Sequence, residues 1–214
     1  MPRPRRADLD APYVHVVNRA VGRAPILTRR TDYRAFLKVL GQGLEKYPVT
    51  LVAYCLLSNH WHLILEPAGT TALARFMQWV TATHAIRWHR HHKTVGTGPV
   101  YQGRYHATPL PGVADLVGAC RYVERNALAA GLVRRAEDWP WGSLSARQRP
   151  SPVVALKSAR FLVSQAWIDH VNAVLSPGDR RIPVYCEDLN PRAVGRWTSG
   201  TGRRKSVENS SDPL

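Results

Sequence analysis

Two apolar segments separated by two turn-forming residues constrain this chain more than any other feature. Thr50 to Leu57 (TLVAYCLL) is an unbroken apolar run of strand length, and His60 to Glu66 (HWHLILE) is a second strand-like segment. Ser58-Asn59 between them supplies turn chemistry, so the two are expected to pair as a β-hairpin. Side chains alternate across a strand, so His60 and His62 project from one face and Trp61 from the other, where it can enter a core. Two imidazoles two residues apart on a rigid strand are pre-positioned as a pair of metal ligands. Taken alone, such a pair is more often two surface histidines than a metal site.

The remaining segments place this hairpin in a larger sheet. Tyr13 to Asn18 (YVHVVN) reads as a strand. Thr31 to Lys46 reads as a helix, with Tyr33, Phe36, Leu37, Leu40 and Leu44 on one face and Thr31 as its N-cap. Thr71 to His92 reads as a long helix, and the glycine-bearing stretch Lys93 to Pro99 as a loop. Val100 to Leu110 is expected to be a strand with a bulge at Gly103, followed by a helix over Ala114 to Ala130 that Gly131 closes. The order β-α-β-β-α-β-α predicts an α+β protein: a ferredoxin-like split βαβ with an antiparallel sheet, plus one extra helix. Residues 1–147 form one expected domain. From 148 onward the prolines scatter, a helix is expected over Ala159 to Leu175, and the Gly-, Ser- and Arg-rich end from Gly195 reads as a flexible basic tail.

Charge narrows the partners. Thirty Lys and Arg oppose 15 Asp and Glu, a formal net charge of +15. The isoelectric point near 10.6 lies in the range of nucleic-acid-binding domains. There is no basic amphipathic helix to suit an anionic membrane, no apolar run near the ~20 residues of a transmembrane helix, and no signal-peptide core after the basic N-terminus. The expectation is a cytoplasmic protein without a membrane partner. Cys55, Cys120 and Cys186 are odd in number and widely spaced, which fits buried free thiols better than disulfides or a zinc site.

A second chemical feature lies on the last helix of the first domain. Tyr122 and Asn126 are four residues apart in Arg121-Tyr122-Val123-Glu124-Arg125-Asn126 and so share a helix face. A phenol beside a carboxamide can be a nucleophile beside a metal ligand; alone, the pair is more often packing. His89, His91 and His92 cluster at the end of the long helix, where a charged, solvated helix end outweighs a second metal site.

Together these features resemble the single-tyrosine HUH endonucleases, in which two histidines flank a bulky hydrophobic residue, here Trp61. The closer resemblance is to the REP-associated tyrosine transposase family. It is carried in order by Tyr13-x-His15-Val16-x-Asn18-Arg19, by Ala53 to Leu63 (AYCLLSNHWHL), by Tyr101-Gln102-Gly103-Arg104-Tyr105, by Arg121-Tyr122-Val123-x-x-Asn126, by Ala130-Gly131-Leu132-Val133 and by Trp139-Pro140-Trp141-x-Ser143. The match spans roughly residues 11 to 145. Relatives commonly have proline after the helix asparagine; Ala127 here lets the helix run further.

The resemblance implies that His60, His62 and Asn126 hold a divalent metal, Mg²⁺ or Mn²⁺, and that Tyr122 attacks a scissile phosphate to give a 5′-phosphotyrosine and a free 3′-hydroxyl. It implies a DNA partner, single-stranded and beside a hairpin or palindrome, and a protein acting as monomer or homodimer. Asn18, Arg19, Gln102 and Arg104 are expected to contact phosphates or bases. His15 would lie near the metal if the first strand neighbours the histidine strand, although a packed histidine is the commoner outcome. Two other readings stay open: a catalytically idle relative that grips DNA or RNA and regulates, and an RNA-binding sheet, which would display aromatics where this chain has histidines.

Overall fold

A computed structural model describes residues 11–149 and 153–174. The calls on Cys186 and on the basic tail from Gly195 lie outside the described residues. Four strands form one antiparallel sheet: β1 (Tyr13–Arg19), β2 (Val49–Leu56), β3 (His60–Pro67) and β4 (His106–Leu110), in the order β2-β3-β1-β4. That order, with helix α1 (Arg30–Lys46) linking β1 to β2 and α2 (Thr70–His92) linking β3 to β4, is the split βαβ arrangement expected from the sequence.

Register decides which residues share a face. His62 lies opposite Val17 on β1 and Cys55 on β2, and His60 lies opposite Arg19. Opposed residues of an antiparallel pair point the same way, so His15, Arg19, His60 and His62 line one face. Val14, Val16, Trp61 and Leu63 alternate onto the other face and are buried there. Phe36 of α1 meets Trp61 at 5.4 Å between ring centroids, so α1 and α2 cover this second face. Gly43 lets them approach: a Cβ there would lie 2.9 Å from Val80 and 3.0 Å from Phe76.

Helix α3 (Val113–Ala129) packs on the histidine face, against β2 and β3. It continues three residues beyond Asn126, as Ala127 permits, and Gly131 follows its end with φ 68°, a left-handed turn suited to glycine. Two short helices follow, α4 (Ser143–Gln148) and α5 (Gln165–Asn172). Residues 141 and 142 bond to the open edge of β2, through the Trp141 carbonyl to the Leu56 N–H and a Cys55–Gly142 bridge. That covers an edge otherwise free to pair with another chain.

Three local expectations are corrected. Thr31 does not cap α1: the Asp32 carboxylate accepts the N–H groups of Thr28 and Arg29, so the helix starts a residue earlier. Val100 to Leu110 is not one strand. Tyr101 bridges Ala20 and His106 pairs with Val17, so four residues (102 to 105) face two of β1 (18 and 19) and are pushed out of the ladder. The helix expected over Ala159 to Leu175 divides into a 3-10 turn (Arg160–Val163) and α5, because the Ser164 hydroxyl caps α5 by accepting the Trp167 N–H. Cys55 and Cys120 are buried free thiols, as expected. Among the described residues no helix is long and apolar enough to cross a membrane.

Candidate functional site

The hairpin and the β1–β3 pairing bring three histidines together. His15 Nε2 lies 3.1 Å from His62 Nδ1, and their rings stack at 5.3 Å between centroids. The His60 ring stands 5.1 Å from that of His62. All three are buried and held neutral. Burial pushes His15 down to about 4. Burial, then the nearby Arg19 guanidinium, takes His60 to about 3. Burial, then His60, His15 and Arg19, puts His62 well below the usual range. Neutral imidazole is the form that ligates metals.

The ring orientations leave specific atoms unsatisfied. His60 Nδ1 is 2.6 Å from the Asn59 side-chain oxygen, an acceptor, so Nδ1 carries the proton and Nε2 is left with its lone pair. Asn59 is fixed in turn by donating to the Arg23 carbonyl at 3.1 Å. His62 Nδ1 is occupied by His15, which likewise leaves Nε2. Among the described residues the buried Nε2 atoms of His60 and His62 have no hydrogen-bond partner, nor do Oδ1 and Nδ2 of Asn126. Unsatisfied buried polar atoms are costly and rare. Here they belong to the three residues the resemblance assigns as metal ligands, so the donor set fits a divalent ion, and His15 and Asn59 orient the ligating rings.

Tyr122 completes the cluster. Its ring meets His62 edge-on at 5.6 Å and His15 at 5.9 Å. Asn126 lies one turn further along the same face of α3. Arg19 flanks His60 across the β1–β3 pair, and the Gln102 N–H donates to the Arg19 carbonyl at 3.0 Å. Gln102 and Arg104 are exposed on the segment pushed out beside this edge. Asn18 is not brought to the site. It is buried opposite Trp61 on the other face, its side-chain oxygen accepting the Arg19 N–H, where it offers no contact to a strand lying on the histidine face.

Several supporting residues escaped the sequence reading. Trp61 donates to Tyr101 Oη at 3.2 Å, and Tyr101 Oη is 2.7 Å from His84 Nδ1, which anchors the histidine strand from behind. Behind α3 the buried Glu124 accepts from the Ser143 hydroxyl at 2.6 Å and from the Trp167 indole N–H at 2.7 Å, with Arg147 3.7 Å away. Arg121 and Arg125 donate to the His170, Ala173 and Val171 carbonyls at the end of α5. A glutamate in an otherwise apolar helix stretch was the available signal. The helix-end histidines are also not simply solvated: His92, four residues from Trp88 and so on its face, stacks on that indole at 4.4 Å and faces the buried Asp32.

Comparisons agree with this geometry. Residues 9–126, more than half of the chain, match the family model described as "Transposase IS200 like". A solved structure of a REP-associated tyrosine transposase bound to a REP hairpin superposes with a TM-score of 0.52 at 16% identity, covering 68% of this chain and 85% of that one. At that identity the likeness bears on the fold alone. No curated protein matches the chain in sequence.

Proposed function

Since the chain belongs to the IS200-like transposase family, we propose that it is a metal-dependent single-strand DNA endonuclease and strand transferase whose nucleophile is Tyr122. One observation carries this reading: the Tyr122 ring meets the two-histidine cluster at the point where the buried ligand atoms of His60, His62 and Asn126 lack partners.

His60, His62 and Asn126 would hold Mg²⁺ or Mn²⁺, with water and substrate phosphate completing the shell. When bound, the ion supplies Lewis-acid polarisation of the scissile phosphate and offsets charge as phosphorus becomes five-coordinate. Tyr122 Oη attacks the phosphorus and loses its proton, the P–O3′ bond breaks, and the leaving 3′ oxygen takes up a proton. The products are a 5′-phosphotyrosine and a free 3′-hydroxyl. The new ester conserves the energy of the broken one, so a second 3′-hydroxyl can reverse the step and join strands. A phenol of pKa about 10 needs activation by position or field; the buried, water-poor setting beside His15 and His62 supplies position.

Arg19, Gln102 and Arg104 border the site and are suited to phosphate contacts, and the net charge of +15 supports DNA binding generally. We assign the chemistry to residues 1–147 and a bracing role for α3 to the part of 148–214 that packs on it. A hairpin-bearing single strand is the proposed substrate, by analogy with the DNA in the superposed structure.

The test uses labelled hairpin-bearing DNA with Mn²⁺, resolved on a denaturing gel. Wild type is expected to form a covalent adduct that chelator prevents and Tyr122→Phe abolishes without loss of DNA affinity. Tyr105→Phe should keep it. DNA binding without any adduct would return the chain to an idle binding module.

A further inference from the structure

A second constellation of metal-ligating groups lies on the other side of the sheet, where α2 ends against the start of α1. Asp32, His91 and His92 each offer one ligand atom, and these atoms all lie within 4.8 Å of one another. Nothing in the proposed nicking chemistry uses them.

The carboxylate is prepared for a ligand. Asp32 is buried, 4% exposed. Its Oδ2 accepts from the Thr28 N–H (3.0 Å), the Thr28 hydroxyl (3.2 Å) and the Arg29 N–H (2.8 Å). Those bonds fix the plane of the group and leave Oδ1 pointing at the histidines. Burial alone would raise this carboxyl, but the bonds from Arg29 and Thr28 outweigh it and keep it ionised.

The imidazoles are placed similarly. His92 is set by stacking on Trp88, and its Nε2 lies 3.4 Å from Asp32 Oδ1. That Nε2 is buried and has no hydrogen-bond partner among the described residues. His91 stands beside it, ring centroids 5.0 Å apart and nearly perpendicular, and is exposed. A plain Asp32–His92 ion pair would account for two of the three groups. It would account neither for the unbonded Nε2 nor for a third ligand atom converging on the same point. The location also suits a cation, since the C-terminal end of a helix carries partial negative charge.

We propose that Asp32, His91 and His92 form a second divalent-metal site. Two imidazoles and one carboxylate are the three-ligand set of a borderline ion such as Zn²⁺, with water in the fourth position. This set differs from the histidine–carboxamide set on the sheet, which suits harder ions. The bound ion ties the N-terminus of α1 to the C-terminus of α2 and so staples the layer behind Trp61. A ligand that binds only the folded chain raises stability in proportion to its occupancy.

The test uses untagged full-length protein carrying His60→Ala and His62→Ala, so that the sheet site cannot contribute, freed of metal with chelator. Zn²⁺ is titrated by calorimetry, Co²⁺ by its visible absorption, and melting is followed with and without Zn²⁺. The expected result is one equivalent bound, a four- or five-coordinate Co²⁺ spectrum and a melting temperature that rises with Zn²⁺. Adding His91→Ala, an exposed residue whose loss leaves the fold intact, should weaken binding by about 100-fold or more and remove the thermal shift. No Zn²⁺ bound by the double variant, or binding unchanged by both His91→Ala and His92→Ala, would overturn the site and leave an ordinary ion pair.

Discussion

The two sides of α3 carry polar groups of similar kind but finish them differently. Toward the sheet, Asn126 is buried with neither end of its amide bonded among the described residues, facing histidines whose Nε2 atoms are equally unmatched. On the opposite side, Glu124 is also buried, yet both its oxygens are bonded, by Ser143 and Trp167, with Arg147 beside them. Arg147 reaches on to the Val52 carbonyl of β2. One side is a closed structural network, while the other is an open set of ligands. Since an unmade buried hydrogen bond costs about 1–3 kcal/mol, the open side persists because something else binds it, and the closed side supplies the rigidity that keeps it open. A catalytic constellation needs such support to hold its geometry.

The comparison breaks first if the open side proves structural. His60→Ala combined with His62→Ala should reduce metal-dependent nicking to background while hairpin DNA binds within about twofold of wild type, because phosphate contacts elsewhere dominate affinity. Melting should shift little or upward, since the substitution removes buried polar atoms that lack partners. Nicking assays paired with filter binding would show it, and a parallel loss of affinity and folding would assign these histidines to the core.

The closed side should respond the other way. Glu124→Ala leaves the buried Arg147 without its counter-charge, and removal of one member of such a pair costs about 3–5 kcal/mol. Denaturant unfolding should register that full loss. Trp167→Phe keeps the ring and deletes only the N–H, so it should cost about 1–3 kcal/mol and lower kcat more than it raises KM, as α3 loosens. A stability loss with unchanged kcat would deny α5 any part in positioning Tyr122.

The sequence made one of these sides legible and hid the other. Period-two alternation placed His60 and His62 on one face of β3, and four-residue spacing placed Tyr122 and Asn126 on one face of α3, because local geometry fixes both relations. The split βαβ order was readable for the same reason, from element types alone. His15 came to the cluster only through a strand pairing that periodicity does not encode. The brace behind α3 depends on contacts such as Trp167 to Glu124, 43 residues apart, between a helix and an extension whose composition gave no sign of packing. Asn18 was misplaced for a simpler reason: it neighbours Arg19 in sequence, but adjacent strand residues point to opposite faces.

Acid should also separate the two sides. His15 and His60 titrate near 4 and 3 when folded, His62 well below its ordinary value, and near 6.5 when unfolded. Below about 6.5 the unfolded chain takes up protons that the folded one refuses, so stability falls as pH drops toward 4 and is fully present above about 7. His84, at about 4, adds to this. Burial raises Glu124 despite Arg147, Ser143 and Trp167, and a raised carboxyl acts with the opposite sign. Four histidines against one carboxyl predict a net loss of a few kcal/mol, on the order expected for shifts of two or more units each. Urea midpoints of chelator-treated protein should fall between pH 7 and 5, less so with His60→Ala and His62→Ala, and more steeply with Glu124→Gln. Midpoints independent of pH would show that the histidines are hydrated.

The smallest expected effect is the most discriminating. Asn59 touches neither DNA nor the reacting atoms in the proposed scheme; it accepts the His60 Nδ1 proton and is itself anchored on Arg23. If the unmatched Nε2 of His60 is a ligand, its direction and basicity depend on that bond. Asn59→Ala should then weaken Mn²⁺ affinity by about 10–100-fold, the usual cost of losing a partner that orients a ligating histidine. Saturating Mn²⁺ should restore most of the nicking rate, because the ligand itself is intact. Asn59→Asp keeps the acceptor and adds charge, so it should bind Mn²⁺ at least as tightly as wild type. Metal titrations of nicking for the three proteins distinguish the cases. A rate in Asn59→Ala that is low and unresponsive to Mn²⁺ would mean that the turn is needed for the hairpin's shape. A metal dependence identical to wild type would mean that His60 is oriented by something other than Asn59, and the open side of α3 would lose its best-defined ligand.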